Sequence, residues 1–115
     1  MIRTLTIGAA FAAVSGVAMA HHGWGSYNEG TPITVAGPIT DMKFDNPHAT
    51  ATVRGNDKVW TVTLAPPFRM TSRGATEQIV KVGANISAYG YPSSSGASEM
   101  RAERITIAGK TYEMR

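Results

Sequence analysis

Three histidines carry most of the chemistry that this sequence could support, since the 115-residue chain contains no cysteine. His21 and His22 are adjacent, and His48 lies in the middle of the chain. Neutral histidine is the commonest metal ligand in proteins. The adjacent pair directly follows Ala18-Met19-Ala20, a small-x-small sequence of the type that signal peptidase cleaves. Cleavage after Ala20 would make His21 the first residue of the mature chain.

A histidine at a free amino terminus offers two donors to one metal ion, the α-amine and a ring nitrogen. A remote histidine adds a third nitrogen, and such a nitrogen set suits Cu(II). We predict a copper site in which His21 forms the chelate and His48 is the remote arm, with zinc as the alternative metal. His22 either binds through the amine and the intervening amide or points away. This opening resembles that of copper proteins with a histidine brace, including exported copper-dependent polysaccharide monooxygenases.

A structural role is the alternative for these histidines. A histidine that follows Asn46-Pro47, as His48 does, often only caps a turn through a hydrogen bond. The four methionines of the mature chain are scattered and have the spacing of core-filling residues rather than of copper ligands. These are Met42, Met70, Met100 and Met114.

The first twenty residues predict export. A single arginine, Arg3, precedes an apolar stretch from Leu5 to Val17, which is shorter than the ~20 residues that cross a bilayer. No second apolar stretch follows, so we expect no membrane span and a periplasmic or secreted protein. We divide the chain into a cleaved signal (1–20), an N-terminal segment with the candidate metal site (21–32) and a β domain (33–115).

Aromatic residues mark two further candidate surfaces. Trp24 and Tyr27 follow the histidines and either plug one end of the domain or form a platform beside the metal. Tyr89 and Tyr91 share one face of a predicted strand, next to the loop 93–96. This second surface could bind a glycan.

Other functions lack the residues that they need. There is no Gly-x-Ser-x-Gly turn, no thiol nucleophile and no phosphate-binding glycine loop, so we assign no catalytic residue. We expect a protein that is not an enzyme; if it is one, it would be a copper-dependent oxidoreductase.

The basic residues near the end of the chain do not form a continuous basic stripe, because glutamates lie between them. These basic residues are Arg101, Arg104 and Lys110. We therefore expect no nucleic-acid partner.

Alternating β-branched residues predict an all-β domain with one short helix. The expected elements are a long strand over 33–42 interrupted by Gly37-Pro38, then strands over 48–54, 59–64, 85–91 and 99–107, with a helix opening at 76–78. A five-stranded OB-like barrel has this order of elements, namely three strands, a short helical connection and two further strands.

The chain resembles an uncharacterised family of small exported bacterial proteins, classed as a domain of unknown function. The resemblance rests on His-His followed by a small residue and an aromatic, and on Asn-Pro-His. Three later segments also fit the family's pattern, namely residues 55–60, 73–74 and 81–83. It departs at Phe44-Asp45, where an aromatic nearer the Asn-Pro is expected. The resemblance implies export and a small β-barrel, but no activity.

Two functions follow from these residues. The first is a periplasmic copper-binding protein for storage, delivery or tolerance. The second is an OB-type module that binds an envelope glycan or protein through Tyr89, Tyr91 and the loop 93–96, since barrels of this type bind oligomers through one face and its loops. Metal binding would depend on a free His21 amine and on His48, whereas glycan binding would not. The oligomeric state is open.

Overall fold

Six β-strands, one short α-helix and one 3₁₀ turn make up the described residues, 23–115, of the computed structural model. The elements are the 3₁₀ turn Trp24–Ser26, β1 Ile33–Lys43, β2 Thr50–Gly55, β3 Lys58–Thr63, α1 Pro67–Ser72, β4 Asn85–Pro92, β5 Glu99–Ile107 and β6 Lys110–Glu113. Within this range no helix is long and apolar enough to cross a membrane.

The strands form one sheet that closes into a barrel. Their order is β3-β2-β1-β4-β5-β6, and β3 also pairs with β5. The closing β3–β5 pair is parallel and all other neighbours are antiparallel. Five strands in this order, with a helix between β3 and β4, form an OB-type barrel, and β6 extends it by one strand. The predicted fold is confirmed.

Strand β1 is long enough to pair with two different strands. Its first half pairs with β4 and its second half with β2, with a register shift between Ile39 and Asp41. We expected the irregularity at Gly37-Pro38, but these two residues keep a regular register with β4. Gly37 serves a different purpose, because a Cβ there would collide with the carbonyl oxygen of Arg54 on β2. The glycine thus allows β1 and β2 to approach closely.

The short helix lies earlier in the chain than we predicted. It occupies Pro67–Ser72, and Pro66 directly precedes its first residue. Proline suits the first helical position because its fixed φ is helical and its missing N–H needs no partner there. The predicted start at 76–78 is wrong, since those residues form only a turn in which Val80 donates to the carbonyl of Thr76 at 2.9 Å.

The barrel interior is filled with aliphatic side chains, three methionines and two aromatic rings. Met70, Met100 and Met114 are at most 1% exposed, which agrees with the core role expected of them, and Met42 packs against this core. The fully buried side chains with the largest volumes are Ile39, Leu64, Met70, Ile86, Met100, Ile105, Met114, Val35, Val53, Val62 and Val80.

Candidate functional site

The strand register brings His48 beside a residue more than fifty positions later in the sequence. His48 lies two residues before Thr50, the first residue of β2. Thr50 pairs with Thr63 on β3, and Thr63 pairs in parallel with Arg101 on β5. The backbone of Ala49 forms one hydrogen bond with Leu64 and one with Ala65, and these bonds fix the end of the loop that precedes β2. Closure of the barrel therefore positions Arg101 next to His48.

The side chains of His48 and Arg101 contact each other directly. Nη2 of Arg101 lies 3.1 Å from Nε2 of His48. A guanidinium has only donors, so Nε2 of His48 is the acceptor in this hydrogen bond. Arg101 is only 7% exposed, and burial lowers the pKa of its guanidinium. It still carries its charge, because arginine does not deprotonate in proteins.

Trp24 contacts two guanidinium groups. The Cζ atoms of Arg101 and Arg115 lie 4.0 and 4.1 Å from the centroid of its ring. Tyr91 contacts the same indole edge-on, with 6.0 Å between the ring centroids. These cation–π and edge-to-face contacts anchor Trp24 beside the Arg101–His48 pair.

The backbone around Trp24 is tied to the loop between β4 and β5. The amide of Ser94 donates to the carbonyl of Ser26 at 2.9 Å, and the amide of Asn28 donates to the carbonyl of Pro92 at 2.9 Å. Tyr27 forms a single antiparallel bridge with Ser93. The 3₁₀ turn buries none of its residues. The segment 23–28 is therefore docked on the barrel surface by Trp24 and these hydrogen bonds, without being part of the core.

The predicted metal ligands are only partly within the described region. His21 and His22 lie outside it, whereas His48 is half-buried beside Arg101. Among residues 23–115, no group of three or more histidine, cysteine or acidic side chains could hold a metal ion. The copper site, with zinc as its alternative, thus stays a prediction. Trp24 itself lies within the described residues and contacts Arg101, Arg115 and Tyr91.

Tyr89 and Tyr91 lie on one face, as expected, but their rings are already engaged. Arg104 lies over Tyr89, with its Cζ 5.2 Å from the ring centroid, and the two tyrosine rings are 6.4 Å apart. The hydroxyl of Tyr91 donates to Oε1 of Glu103 at 3.1 Å. Burial and this hydrogen bond raise the pKa of Tyr91 above its ordinary value. We name these three rings and three arginines the arginine–aromatic cluster: Trp24, Tyr89, Tyr91, Arg101, Arg104 and Arg115.

A bulge in β5 explains why the arginines of this cluster were missed in the sequence. Residues three apart in a regular strand point to opposite faces. Tyr91 pairs with Arg101, but Tyr89 pairs with Arg104, so Glu103 is an additional residue in β5. The additional residue turns both arginines toward the same face. A bulge of this kind leaves no clear sequence signal.

The outer face of β2 and β3 has a different character. Oligomers usually bind OB barrels on this face and on the adjoining loops. Here its cross-strand pairs are threonines, Thr50 with Thr63 and Thr52 with Thr61. Trp60, the aromatic residue of β3, is buried in the core instead. The outer face of β2 and β3 thus presents threonines, while Trp24, Tyr89 and Tyr91 lie in the arginine–aromatic cluster.

The fold and this site define an OB-type barrel with an N-terminal segment docked across its loops. The chain belongs to the family of unknown function DUF6152, which it matches over residues 10–102. None of the curated proteins matches it.

Three solved structures resemble this barrel. The Stn1–Ten1 complex of S. pombe matches with a TM-score of 0.53 at 16% identity, over 69% of this chain and 59% of that one. TiaS bound to tRNA(Ile2) and ATP matches with a TM-score of 0.52 at 12% identity, over 72% of this chain and 19% of that one. The mitochondrial single-stranded DNA-binding protein Rim1 of S. cerevisiae matches with a TM-score of 0.45 at 11% identity, over 70% of this chain and 96% of that one. The chain thus spans less than two thirds of the length of the matched Stn1–Ten1 chain and of TiaS.

These similarities correct one prediction. We expected no nucleic-acid partner from the charge pattern, and this exclusion is wrong, because the similar folds include a protein solved in complex with tRNA. The error arose because the charge pattern of the sequence does not show which side chains the folded strands bring together. Arginines that alternate with glutamates in the sequence are brought together beside aromatic rings in the barrel.

Proposed function

We propose that this protein binds copper at the amino terminus of its mature chain, through His21 and His48, and serves copper storage, delivery or tolerance. One observation carries the proposal: the segment that leads to His21 is anchored beside His48. Trp24 packs on the guanidinium of Arg101, and that same guanidinium contacts His48. His48, the remote arm of the proposed site, and Trp24, which follows His21 closely in the sequence, thus both contact Arg101.

The length of the connecting chain supports this geometry. One residue, His22, separates Gly23 from His21 in the sequence, and the two Cα-to-Cα steps of that connection span at most about 7 Å. This short connection to the segment that Trp24 anchors beside Arg101 supports a site shared by His21 and His48. An additional ligand role for His22 is part of the proposal.

The proposal includes export and cleavage after Ala20, with the mature protein in the periplasm or secreted. A free α-amine on His21 exists only after that cleavage. The resulting set of two histidine rings and one amine contains neutral nitrogen donors, which suit Cu(II) and, as the second choice, zinc.

The test is a Cu(II) titration of protein purified from the periplasm, with His21 confirmed as the first residue by intact mass. We expect one-to-one binding and an EPR spectrum with nitrogen hyperfine structure. Binding should weaken sharply in His48→Ala and in a version with one methionine before His21. Asp45→Asn is the matched control, since it changes an exposed residue of the same loop without removing an imidazole. Weak binding that is indifferent to both changes would refute the proposal.

A second candidate function is favoured by the arginine–aromatic cluster. Guanidinium groups beside aromatic rings are typical of surfaces that bind single-stranded nucleic acid by charge and stacking. An anionic ligand fits Tyr89 and Tyr91 better than a neutral envelope glycan, because Arg104 adds positive charge beside their rings. An envelope protein is less specifically supported, since no described surface favours one.

This second candidate is tested by fluorescence anisotropy with a labelled oligothymidylate and with a labelled neutral oligosaccharide. Nucleic-acid binding predicts an affinity that falls steeply with salt and that weakens in Tyr89→Ala and Arg104→Gln. Thr52→Ala, on the outer face of β2, is the control. Salt-independent capture of the sugar alone would instead support a glycan ligand.

A further inference from the structure

We propose that helix α1 provides the phosphate-binding part of a single-stranded nucleic-acid site, with Phe68 as a stacking residue. This inference rests on the second candidate function and names the residues that recognise the strand. We call Phe68, Arg69 and Arg73 the α1 surface. Phe68 is 84% exposed, the highest value among the exposed large hydrophobic residues of the described chain. A ring with so little burial contributes little to the core and is available to stack on a base.

The guanidinium groups of Arg69 and Arg73 are oriented by backbone carbonyls. Nη1 of Arg69 donates to the carbonyl of Met114 at 3.1 Å, and Nη1 of Arg73 donates to the carbonyl of Glu113 at 2.9 Å. Within residues 23–115, neither arginine forms an ion pair with a carboxylate. A carbonyl is uncharged, so both guanidinium groups keep their full positive charge. The α1 surface therefore combines a solvent-exposed ring with two oriented cations.

These two arginines differ in this respect from two arginines of the arginine–aromatic cluster. Arg104 pairs with Glu113 at 3.0 Å. Arg115 pairs with Glu29 and Glu103 at 3.1 and 3.3 Å. A phosphate that binds there competes with a carboxylate. On α1 each guanidinium has used one of its five N–H donors on a carbonyl, and the others suit two oxygens of a phosphate. The α1 arginines are thus the stronger phosphate contacts.

The α1 surface is continuous with the arginine–aromatic cluster. Met114, whose carbonyl binds Arg69, directly precedes Arg115, and the Cζ of Arg115 lies 4.1 Å from the indole centroid of the cluster. Glu113, whose carbonyl binds Arg73, uses its side chain to bind another arginine of the cluster. A strand that stacks on the rings of the cluster can therefore continue across the end of β6 to α1.

Positive charge is concentrated where the two surfaces meet. Burial lowers the pKa of the Arg101 guanidinium, and the positive charges of Arg115 and Arg69 lower it further. Like charges that lie close together repel each other, and a bound polyanion relieves this repulsion while it releases its own counterions. Charge complementarity therefore favours a phosphate backbone over a neutral ligand.

The test compares the α1 surface with an equivalent pair of residues on the outer face of β2 and β3, where OB barrels usually bind oligomers. Phe68→Ala removes the ring, and Arg73→Gln removes one charge. Val59→Ala and Arg54→Gln are the matched controls, because Val59 and Arg54 form a cross-strand pair on that face. All four residues are exposed, so all four variants should fold, which thermal unfolding verifies. Arg73→Lys keeps the charge.

Affinity for a labelled oligothymidylate is measured by fluorescence anisotropy over a series of salt concentrations. Phe68→Ala should weaken binding roughly 5- to 150-fold, the effect of losing one stacked base. Arg73→Gln should reduce the slope of log affinity against log salt by about 0.7, the contribution of one phosphate contact to a single strand. Arg73→Lys should restore that slope. Val59→Ala and Arg54→Gln should keep the affinity and the slope of the unaltered protein.

Other results would overturn the inference. Losses confined to Val59→Ala and Arg54→Gln would place the strand on the outer face of β2 and β3, and equal binding by every variant would remove any role of the α1 surface. Both results leave the second candidate function intact. Binding to phosphatidylglycerol vesicles but not to oligothymidylate, with a loss in Phe68→Ala, would assign the surface to an anionic membrane instead. No binding of oligothymidylate by the unaltered protein at low salt would overturn both the inference and the second candidate function.

Discussion

Replacement of Trp24 by alanine should release the segment 23–28 from the barrel without unfolding the barrel itself. The 3₁₀ turn that contains Trp24 buries none of its residues, and the core lies elsewhere in the described chain. The segment is held by the indole contacts and by two backbone hydrogen bonds to the loop after β4. Loss of the indole therefore weakens a local docking equilibrium.

The magnitude follows from the contacts of the indole. The guanidinium of Arg101 is buried, and a cation–π contact with such a group contributes about 1–2 kcal/mol. The edge-on contact with Tyr91 at 6.0 Å contributes about 0.5–1.5 kcal/mol. We count nothing for Arg115, which is exposed. The docking free energy should thus fall by about 1.5–3.5 kcal/mol, which makes local opening roughly 10- to 400-fold more frequent.

Amide hydrogen exchange measures this opening directly. The amides of Asn28 and Ser94 donate across the docked interface, so their exchange should accelerate by the factor given above. The amides of Val62 and Ile105, in β3 and β5, should be unaffected. Copper affinity should fall in parallel if the site depends on the docked segment.

Phe68→Ala is the matched control for loss of an aromatic side chain, because Phe68 is 84% exposed. It should leave the exchange of Asn28 and Ser94 unchanged. Unchanged exchange of these two amides in Trp24→Ala would refute the anchoring role of the indole. Equal acceleration at Val62 would show that the loss is global and would refute local docking.

Three further predictions concern β4, β5 and their contacts. Gly90→Ala should lower the free energy of unfolding in urea by about 3 kcal/mol, because a Cβ at this position would collide with the carbonyl oxygen of Arg101. Gly25→Ala is the control and should match the unaltered protein, because no atom lies within 4 Å of a Cβ placed there. In an ultraviolet pH titration, Tyr91 should ionise above its ordinary value of 10.0, and Glu103→Gln should lower its pKa. The raised pKa of Tyr91 stabilises the fold fully below pH 10, and that stabilisation is lost as the pH rises through the folded-state pKa. Arg104→Gln should leave thermal stability within error of the unaltered protein, since its ion pair is exposed and screened.

The alternation of β-branched residues was sufficient to predict the barrel and most of its strands. The fifth strand, Glu99–Ile107, has the bounds that the sequence indicated. The helix was predicted to open at 76–78 but begins at Pro67. Proline is found both at the ends of strands and at the first position of helices, so the local sequence does not decide between these two uses.

The sequence by itself determined the candidate ligands and the order of the barrel strands. Only the tertiary structure showed that Arg101 links His48 to Trp24, since this contact depends on closure of β3 against β5. The bulge at Glu103 likewise places Arg101 and Arg104 on one face. Hydrophobic periodicity reports which side of a strand is buried, because burial repeats every two residues. Strand pairing and bulges depend on contacts between residues distant in the chain, so no local pattern encodes them.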